Sequence, residues 1–418
     1  MTMLATIRSF VPCLVMILSW QLLLQGRLHA APLTFEQAVE LAWKIDPVRL
    51  NLLTNRQSAN ARAKAADSLF PGGPVVTGDY YSDHFVGSRQ GYATWQGGLS
   101  VPLWLPGQSE ATVRVAEAES ATVHERLDVE HMSLSVRLLD ATGAVVVARR
   151  KQESARRLLN AIKQIAGSVA DMVKSGEAPS TDKDAIEAEL ANAKSELDVA
   201  IEQTSVTLAS LVEILGRTDA PNISSFDAAA LRKAKLDPAR LDPDNDPRVR
   251  AAHMAVMAAR EGMHLAQKSF MPNPQIGVAA IRDIQFGSPW DTRTGVTLTL
   301  PLPSDAQNVP LLAEARNKLS AAESEESLAR RMVRVELTQV SARLKAATAT
   351  LTNAKTSVDA LNRRAADFEK AWKAKETSLI ETLRAYQGAY AAMLTHDQAE
   401  TAWHVAIARV FIASGHLQ

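Results

Sequence analysis

Trp290-Asp291-Thr292-Arg293-Thr294-Gly295-Val296-Thr297-Leu298-Thr299-Leu300-Pro301-Leu302 alternates with a period of two, the signature of a strand with two unlike faces. Trp290, Thr292, Thr294, Val296, Leu298, Leu300 and Leu302 share a largely apolar face, while Asp291, Arg293, Gly295, Thr297 and Thr299 share the other. Just upstream, Ile276, Val278, Ala280, Ile284 and Phe286 keep one face, with Arg282 the exception. The two segments form a hairpin over 275–302. Strands of about 10 residues have the length that a tilted strand needs to cross a bilayer.

A second hairpin is expected over 74–103. Ala93, Trp95, Leu99, Val101 and Leu103 oppose Thr94, Gln96, Gly98 and Ser100, whereas Val75 to Val86 alternates poorly. Alternation points Asp291 and Arg293 to a channel lumen, and Asp79 is grouped with them. Solvated charge near a loop is the plainer alternative for all three. Soluble hairpins lying on helices would also alternate, but matched strand lengths and Tyr/Trp near strand ends favour the membrane.

Upstream and downstream of these hairpins the chain repeats itself. Asp46-Pro47-Val48-Arg49 returns as Asp246-Pro247-Arg248-Val249, and Ser68-Leu69-Phe70-Pro71 as Ser269-Phe270-Met271-Pro272. Leu99-Ser100-Val101-Pro102-Leu103 returns as Leu298-Thr299-Leu300-Pro301-Leu302, and Ala116-Glu117-Ala118-Glu119 as Ala313-Glu314-Ala315-Arg316. These landmarks recur in order about 200 residues apart, far beyond a solenoid period of roughly 20–50 residues. The units are expected over 31–216 and 246–418, with 217–245 as a linker of weak order signals.

Each unit opens on Asp-Pro, a helix cap followed by a first-turn proline, so helices are predicted over 47–69 and 247–270. Thr34 with Gln37 forms a capping box for a shorter helix ahead of them. After each hairpin comes a stretch almost free of helix breakers. No proline occurs from Ser109 to Lys174, and neither proline nor glycine from Leu311 to Glu376. Helices of that length reach about 100 Å at ~1.5 Å per residue. Long helical hairpins are therefore expected over 109–216, with Ser180 or Thr181 capping the return, and over 311–415.

The composition agrees. Hydrophobic residues make up 46% and aromatics only 5%, which suits long, closely packed helices better than a globular core. Lys plus Arg (46) balance Asp plus Glu (46), so no nucleic-acid partner is implied. Arg8, the apolar run Phe10 to Leu24 and the small pair Ala30-Ala31 read as a secretory signal over 1–30. Cys13 is the lone cysteine, which excludes disulfide frameworks. Beyond the signal no run of ~18 apolar residues is read, so membrane insertion falls to a closed barrel. Each chain offers four strands. Two copies would give a filled barrel of eight, and three give twelve with room for a lumen.

Signal, hairpins, long helices and duplication together resemble the TolC-like outer-membrane efflux channels, from Leu33-Thr34-Phe35-Glu36-Gln37-Ala38 to Gly415. Val101-Pro102-Leu103-Trp104-Leu105-Pro106-Gly107-Gln108, Met271-Pro272-Asn273-Pro274-Gln275-Ile276-Gly277-Val278 and Leu298-Thr299-Leu300-Pro301-Leu302-Pro303 are similar, more narrowly, to outer-membrane subunits of cobalt–zinc–cadmium-type cation efflux systems. The resemblance implies an α plus transmembrane-β fold, with a periplasmic α-barrel under a shared twelve-stranded barrel. It implies a homotrimer in outer-membrane lipid, partnered by a periplasmic adaptor and an inner-membrane pump. Drug efflux and type I protein secretion are alternative duties of the same architecture. A soluble periplasmic coiled-coil spacer or adaptor is the competing class, and it leaves the amphipathic hairpins without a purpose.

The turns between long helices are the expected periplasmic tips and adaptor contacts, with Lys174, Gly176, Thr181, Asp182, Lys373 and Lys375 as candidates and Asp184 beside them. The first tip, with Gly176, matches the family's turn, whereas the second has Lys375 where glycine is usual. Solvated charge is the other reading of these tips. No Walker loop, Gly-x-Ser-x-Gly or His-Glu-x-x-His motif occurs, so no enzyme and no cofactor are expected. His253, Met257 and His264 fall on roughly one side of a helix beside Met254 and Met263, residue types that bind soft metals. Met filling gaps between helices, with His at the polar margin, is the ordinary reading, and no metal site is assigned.

Overall fold

The structure is a computed structural model that describes residues 33–84 and 86–416. The signal segment over 1–30 and Cys13 lie outside the described residues.

Local sequence sets the starts of the elements. Thr34 accepts from the Gln37 amide at 3.2 Å while Gln37 Oε1 accepts from the Thr34 amide at 3.2 Å, opening α1 (Phe35–Ile45). Asp46 accepts from the Arg49 amide at 2.7 Å ahead of Pro47, opening α2 (Pro47–Ala66). Then follow β1 (Val75–Ser82), β2 (Ala93–Pro102), the 67-residue α3 (Gln108–Lys174) and α4 (Ser180–Leu215). After α5 (Ala228–Ala234) and a 3-10 turn (Pro243–Asn245), Asp246 accepts from the Arg248 amide at 2.9 Å. It caps α6 (Pro247–Lys268), which leads to β3 (Gln275–Ile284), β4 (Asp291–Thr299), the 69-residue α7 (Asp305–Lys373) and α8 (Leu379–Ala413).

The helices form a layer in which α3 and α7 run the full length. Nearest the sheet the neighbours are α2–α3–α6–α7, and beyond the middle they are α4–α3–α8–α7. Around the middle, α1 and the segment after α4 form a belt. Phe35, Val39 and Phe226 of this belt pack on Leu138 and Leu139 of α3, Leu211 of α4 and Ile407 of α8. A second core of Ile162, Ile165 and Val169 with Ile186, Trp372 and Leu379 joins the hairpins near their turns. The four strands form one antiparallel sheet in the order β1-β2-β3-β4. Both outer strands keep an unpaired edge among the described residues.

Several expectations need correction. The second long helix begins at Asp305, not 311, and carries Pro310 inside it; the proline forfeits one bond near the helix start, where a single missing N–H is tolerated. β4 ends at Thr299, because Pro301 and Pro303 have no amide for a ladder. α2 stops at Ala66, three residues short of the expected end. Neither Ser180 nor Thr181 caps α4: Pro179 holds that position without a side-chain bond. The linker is better ordered than its sequence implied, since Ile223 and Phe226 are buried under the belt and Asp227 caps α5. One window of α3 is apolar and long enough to span a membrane, but half of it is buried inside the bundle.

Candidate functional site

Pairing register sorts every strand residue onto one of two faces. Val76, Leu99, Val278 and Val296 form one transverse row, because Val76 opposes Leu99, Leu99 opposes Val278 and Val278 opposes Val296. Val101, Ile276 and Leu298 extend the same apolar face one row toward the helices. Much of this face is open: Val296 is 75% exposed, Leu298 66% and Val278 58%, with Val101 half-buried. An apolar band of this kind on a sheet face requires a non-aqueous neighbour.

At the end away from the helices the band is bounded by aromatic rings. Tyr80 and Trp95 stack with ring centroids 4.4 Å apart. Arg282, opposite Trp95, lays its guanidinium 5.3 Å from the Trp290 ring. This accounts for the exception that Arg282 makes in the alternation, since a long cationic side chain at a band edge can turn outward to polar surroundings.

The opposite face is polar and concave. A β-carbon on Gly277 would lie 2.5 Å from the Leu99 carbonyl oxygen and 2.8 Å from Ser100 Cβ, and one on Gly98 would lie 2.9 Å from Thr77 Oγ1. On the apolar face, β-carbons at Gly78 and Gly97 would meet nothing within 4 Å. On the central strands β2 and β3 the polar side is crowded and the apolar side open, as in a sheet curled toward its polar face, whereas Gly295 on the edge strand β4 meets nothing on that side. Asp79, Asp291 and Arg293 all belong to that face. Arg293 donates from Nη2 to Asp283 Oδ2 at 2.6 Å and lies 3.6 Å from Asp291 through Nε. Asp283, overlooked in the sequence, was marked by parity alone, since it sits one residue from Arg282 and so on the other face.

The sheet joins the helices through a polar hub. Asn273 Nδ2 donates at 2.8 Å to the Leu103 carbonyl and at 2.8 Å to Gln108 Oε1, while Gln108 Nε2 donates to Ser269 Oγ at 3.2 Å. Gln108 Oε1 also accepts from the Leu105 amide at 3.1 Å. This hub locks the start of α3 to the segment between α6 and β3.

At the far end, the α3–α4 and α7–α8 turns share one construction. Gly176 has φ +77° and Lys375 φ +63°. The Glu177 amide bonds back to the Met172 carbonyl and the Glu376 amide to the Ala371 carbonyl, each at 2.8 Å, a left-handed helix stop of the Schellman type. Lys174 and Lys373 are exposed and pair only along their own helices, with Asp171 at 3.8 Å and Glu369 at 2.7 Å. Thr181 and Asp184 are exposed and Asp182 is half-buried.

Polar links tie the two hairpins above these turns. Lys375 Nζ lies 3.0 Å from Glu177 Oε2, Gln387 Nε2 donates to Glu189 Oε1 at 2.8 Å, and Tyr390 Oη donates to Glu196 Oε1 at 3.1 Å. Tyr386 donates to Glu369 Oε2 at 2.6 Å. Burial, reinforced by the facing carboxylate, pushes both phenols above their ordinary range.

No protein-family model and no curated protein sequence matches this chain. Solved structures do. A membrane protein from Pseudomonas aeruginosa superposes with a TM-score of 0.73 at 18% identity, covering 91% of this chain and 93% of that one. CusC, studied for its folding and transmembrane channel formation, gives 0.73 at 14% identity, over 91% and 92%. The Campylobacter jejuni outer membrane channel CmeC gives 0.71 at 14% identity, over 91% and 85%. The chain has the TolC-like channel fold.

Within this channel fold the soft-metal candidates do not converge. His253, Met257 and His264 are all exposed on α6, but eleven residues separate the two histidines, about 16 Å along a helix. His253 Nδ1 instead meets Glu326 Oε1 at 3.2 Å, and Glu326 also accepts from Arg330, which reaches Asp244. This polar chain ties α6 and α7 to the segment that precedes α6. A different cluster, His396, Asp397 and Glu400, brings its ligand atoms within 4.8 Å of one another. There Arg150 already supplies the positive charge, paired with Glu400 and lying 3.9 Å from Asp397.

Proposed function

We propose that the protein is the outer-membrane channel subunit of a tripartite efflux system, a passive homotrimeric conduit from periplasm to exterior. The observation that carries this reading is the curled, two-faced sheet with both edges unpaired, continuous with helices about 100 Å long. Four strands cannot close on themselves, and only closure satisfies backbone groups within a bilayer. Three copies joined β4 to β1 would form a twelve-stranded barrel, with the exposed apolar face toward lipid and the polar face lining the lumen.

The helical layer is open in the same sense. Its α7 edge exposes Leu328, Met332 and Val335, and its α4 edge exposes Val199 and Val206, so one copy offers two unlike apolar edges that a head-to-tail ring would bury. In this reading Asp79, Asp291 and Arg293 line the lumen. The turns carrying Lys174, Gly176, Thr181, Asp182, Lys373 and Lys375 meet a periplasmic adaptor that leads to an inner-membrane pump. The likeness of Val101 to Gln108 and Met271 to Val278 to cobalt–zinc–cadmium-type subunits makes heavy-metal cations the cargo we propose. A soluble spacer is disfavoured by the exposed band of Val278, Val296 and Leu298.

Multi-angle light scattering of detergent-extracted outer membranes tests the assembly, with a trimer expected. A stable monomer that keeps its β-structure, or recovery in the soluble periplasm, would overturn the reading. Growth of a deletion strain on zinc, cadmium and cobalt salts against a panel of drugs tests the cargo.

A further inference from the structure

The apolar face of the sheet carries a single charge. Among the described strand residues that register places on this face, only Arg282 is charged. It shares a transverse row with Tyr80, Trp95 and Thr292. The acids beside this row, Asp283 and Asp291, belong to the polar face and are engaged by Arg293 at 2.6 Å and 3.6 Å. Arg282 itself is exposed and has neither an ion-pair nor a hydrogen-bond partner among the described residues. Its guanidinium rests against the Trp290 ring at 5.3 Å.

The depth of this row follows from the chain. The same face continues past β4 toward the helices through Leu300 and Leu302, both exposed. From Leu302 to Thr292 the chain rises about 25 Å, at ~3.3 Å per residue and a tilt of roughly 40°. That matches the apolar band of an outer-membrane barrel, about 25 Å tall. Arg282 therefore sits at the boundary of the band on the side away from the helices, where a lipid-facing cation is tolerated as it is not at the midplane. Around it every polar side chain can donate: the Tyr80 and Thr292 hydroxyls and the Trp95 and Trp290 indole N–H groups. An arginine held against an aromatic ring keeps its planar fork of donors for a further partner, and that fork matches the oxygens of a phosphate.

We propose that Arg282, backed by Trp290 and flanked by Tyr80 and Trp95, binds the phosphate of a phosphorylated glycolipid in the outer leaflet of the outer membrane. The inference rests on the channel reading above, which puts the helices in the periplasm and this row at the outer surface. Such a lipid fits each part of the site. Its phosphate meets the guanidinium, its sugars lie on the exposed rings of Tyr80 and Trp95, and its acyl chains run down the exposed band of Val278 and Val296. A free anion would meet only the first of these.

Native mass spectrometry of the full-length trimer in detergent, titrated with lipid A, tests the proposal, with phosphatidylglycerol and inorganic phosphate as comparison ligands. Lipid A is expected to bind more tightly than phosphatidylglycerol, and inorganic phosphate is expected not to displace it. Arg282→Gln should weaken lipid A binding about tenfold, the scale of one hydrogen bond to a charged group, and Arg282→Lys should weaken it less. Trp290→Leu should weaken it as well, whereas Lys345→Gln, an exposed cation on α7, should leave it unchanged. If Arg282→Gln fails to assemble, Arg282→Lys and Trp290→Leu carry the same comparison. Equal affinity for lipid A and phosphatidylglycerol, displacement by inorganic phosphate, or wild-type binding of lipid A by the Arg282 and Trp290 variants overturns this inference and leaves the channel reading intact. Failure to recover any trimer from outer membranes overturns both.

Discussion

Lys375 reaches across from one helical turn to the other, Nζ to Glu177 Oε2 at 3.0 Å, from a backbone held at φ +63°. The equivalent position of the first turn is Gly176 at φ +77°. Left-handed backbone costs a residue bearing a β-carbon roughly 1–2 kcal/mol, and an exposed ion pair returns about 0–1 kcal/mol. The lysine is therefore a net local cost at its position.

Lys375→Gly is accordingly expected to stabilise the protein by about 1 kcal/mol, the strain relieved less the ion pair lost. Lys375→Ala keeps the strain and loses the pair, so it should be neutral to slightly destabilising. Denaturant midpoints in detergent compare the two, and a lower midpoint for the glycine variant would show that the Glu177 contact outweighs the backbone.

On the sheet, Leu298 and Thr297 are neighbours on opposite faces, opposing Ile276 and Gly277 respectively. Leu298→Arg places a charge in the apolar band and should cost roughly 2–4 kcal/mol of membrane insertion near the midplane. Thr297→Arg should assemble normally. Outer-membrane trimer recovered from each strain is the measurement, and equal losses would mean that the faces are misassigned.

How much of this was legible in the sequence depends on the kind of interaction. The face of Leu298 follows from parity, which any strand obeys, and the Asp46 and Asp246 caps follow from local chain geometry. The partners of Asp283 and Asn273 were not legible, because register between distant strands and helices is fixed by packing of the whole sheet. Gly277 gave no sign that the sheet curls, since crowding by Leu99 and Ser100 exists only once β2 and β3 pair. The second long helix was expected only from 311, where the breaker-free stretch starts, yet it begins at Asp305 and keeps Pro310 as its sixth residue, losing one N–H bond without ending.

Asn273 and Gln108, both inside the short motifs that prompted the family resemblance, form the hub between sheet and helices. Asn273→Ala leaves the Leu103 carbonyl without its donor, while Gln108 Oε1 keeps the Leu105 amide, and a half-buried acceptor left unmatched costs about 1–3 kcal/mol. The expected outcome is a trimer of lower thermal stability with normal localisation, read by heating detergent-solubilised protein before electrophoresis.

His131 gives the middle of the molecule a pH response. Burial lowers its pKa, with Glu40 and Asp128 opposing more weakly, and its ring stands edge-on to Trp43 at 5.0 Å. A histidine depressed in the folded state contributes stability that is complete above its unfolded pKa of about 6.5 and is lost as pH falls toward the folded value. Denaturant midpoints should therefore drop between pH 7.5 and 5, and His131→Gln should drop less. Parallel profiles for the two proteins would remove His131 as the cause.

The contact expected at the helical turns can be tested apart from the fold. Gly176 is a poor place to substitute, because at φ +77° any side chain strains the turn whether or not a partner docks there. Lys174 is the better probe: it is exposed, belongs to regular helix and pairs only with Asp171 at 3.8 Å within α3. Its removal should leave the core of Ile162, Ile165 and Val169 undisturbed. Lys174→Glu also moves a negative charge to a helix C-terminus, a cost of about 0.3–1 kcal/mol that is too small to unfold a 67-residue helix. The expected result is reduced efflux from cells with unchanged trimer and outer-membrane level. A photoreactive residue at position 174 should crosslink to the periplasmic adaptor in those cells. A folded trimer that transports normally after Lys174→Glu and gives no adaptor adduct from position 174 would move the docking surface away from this turn.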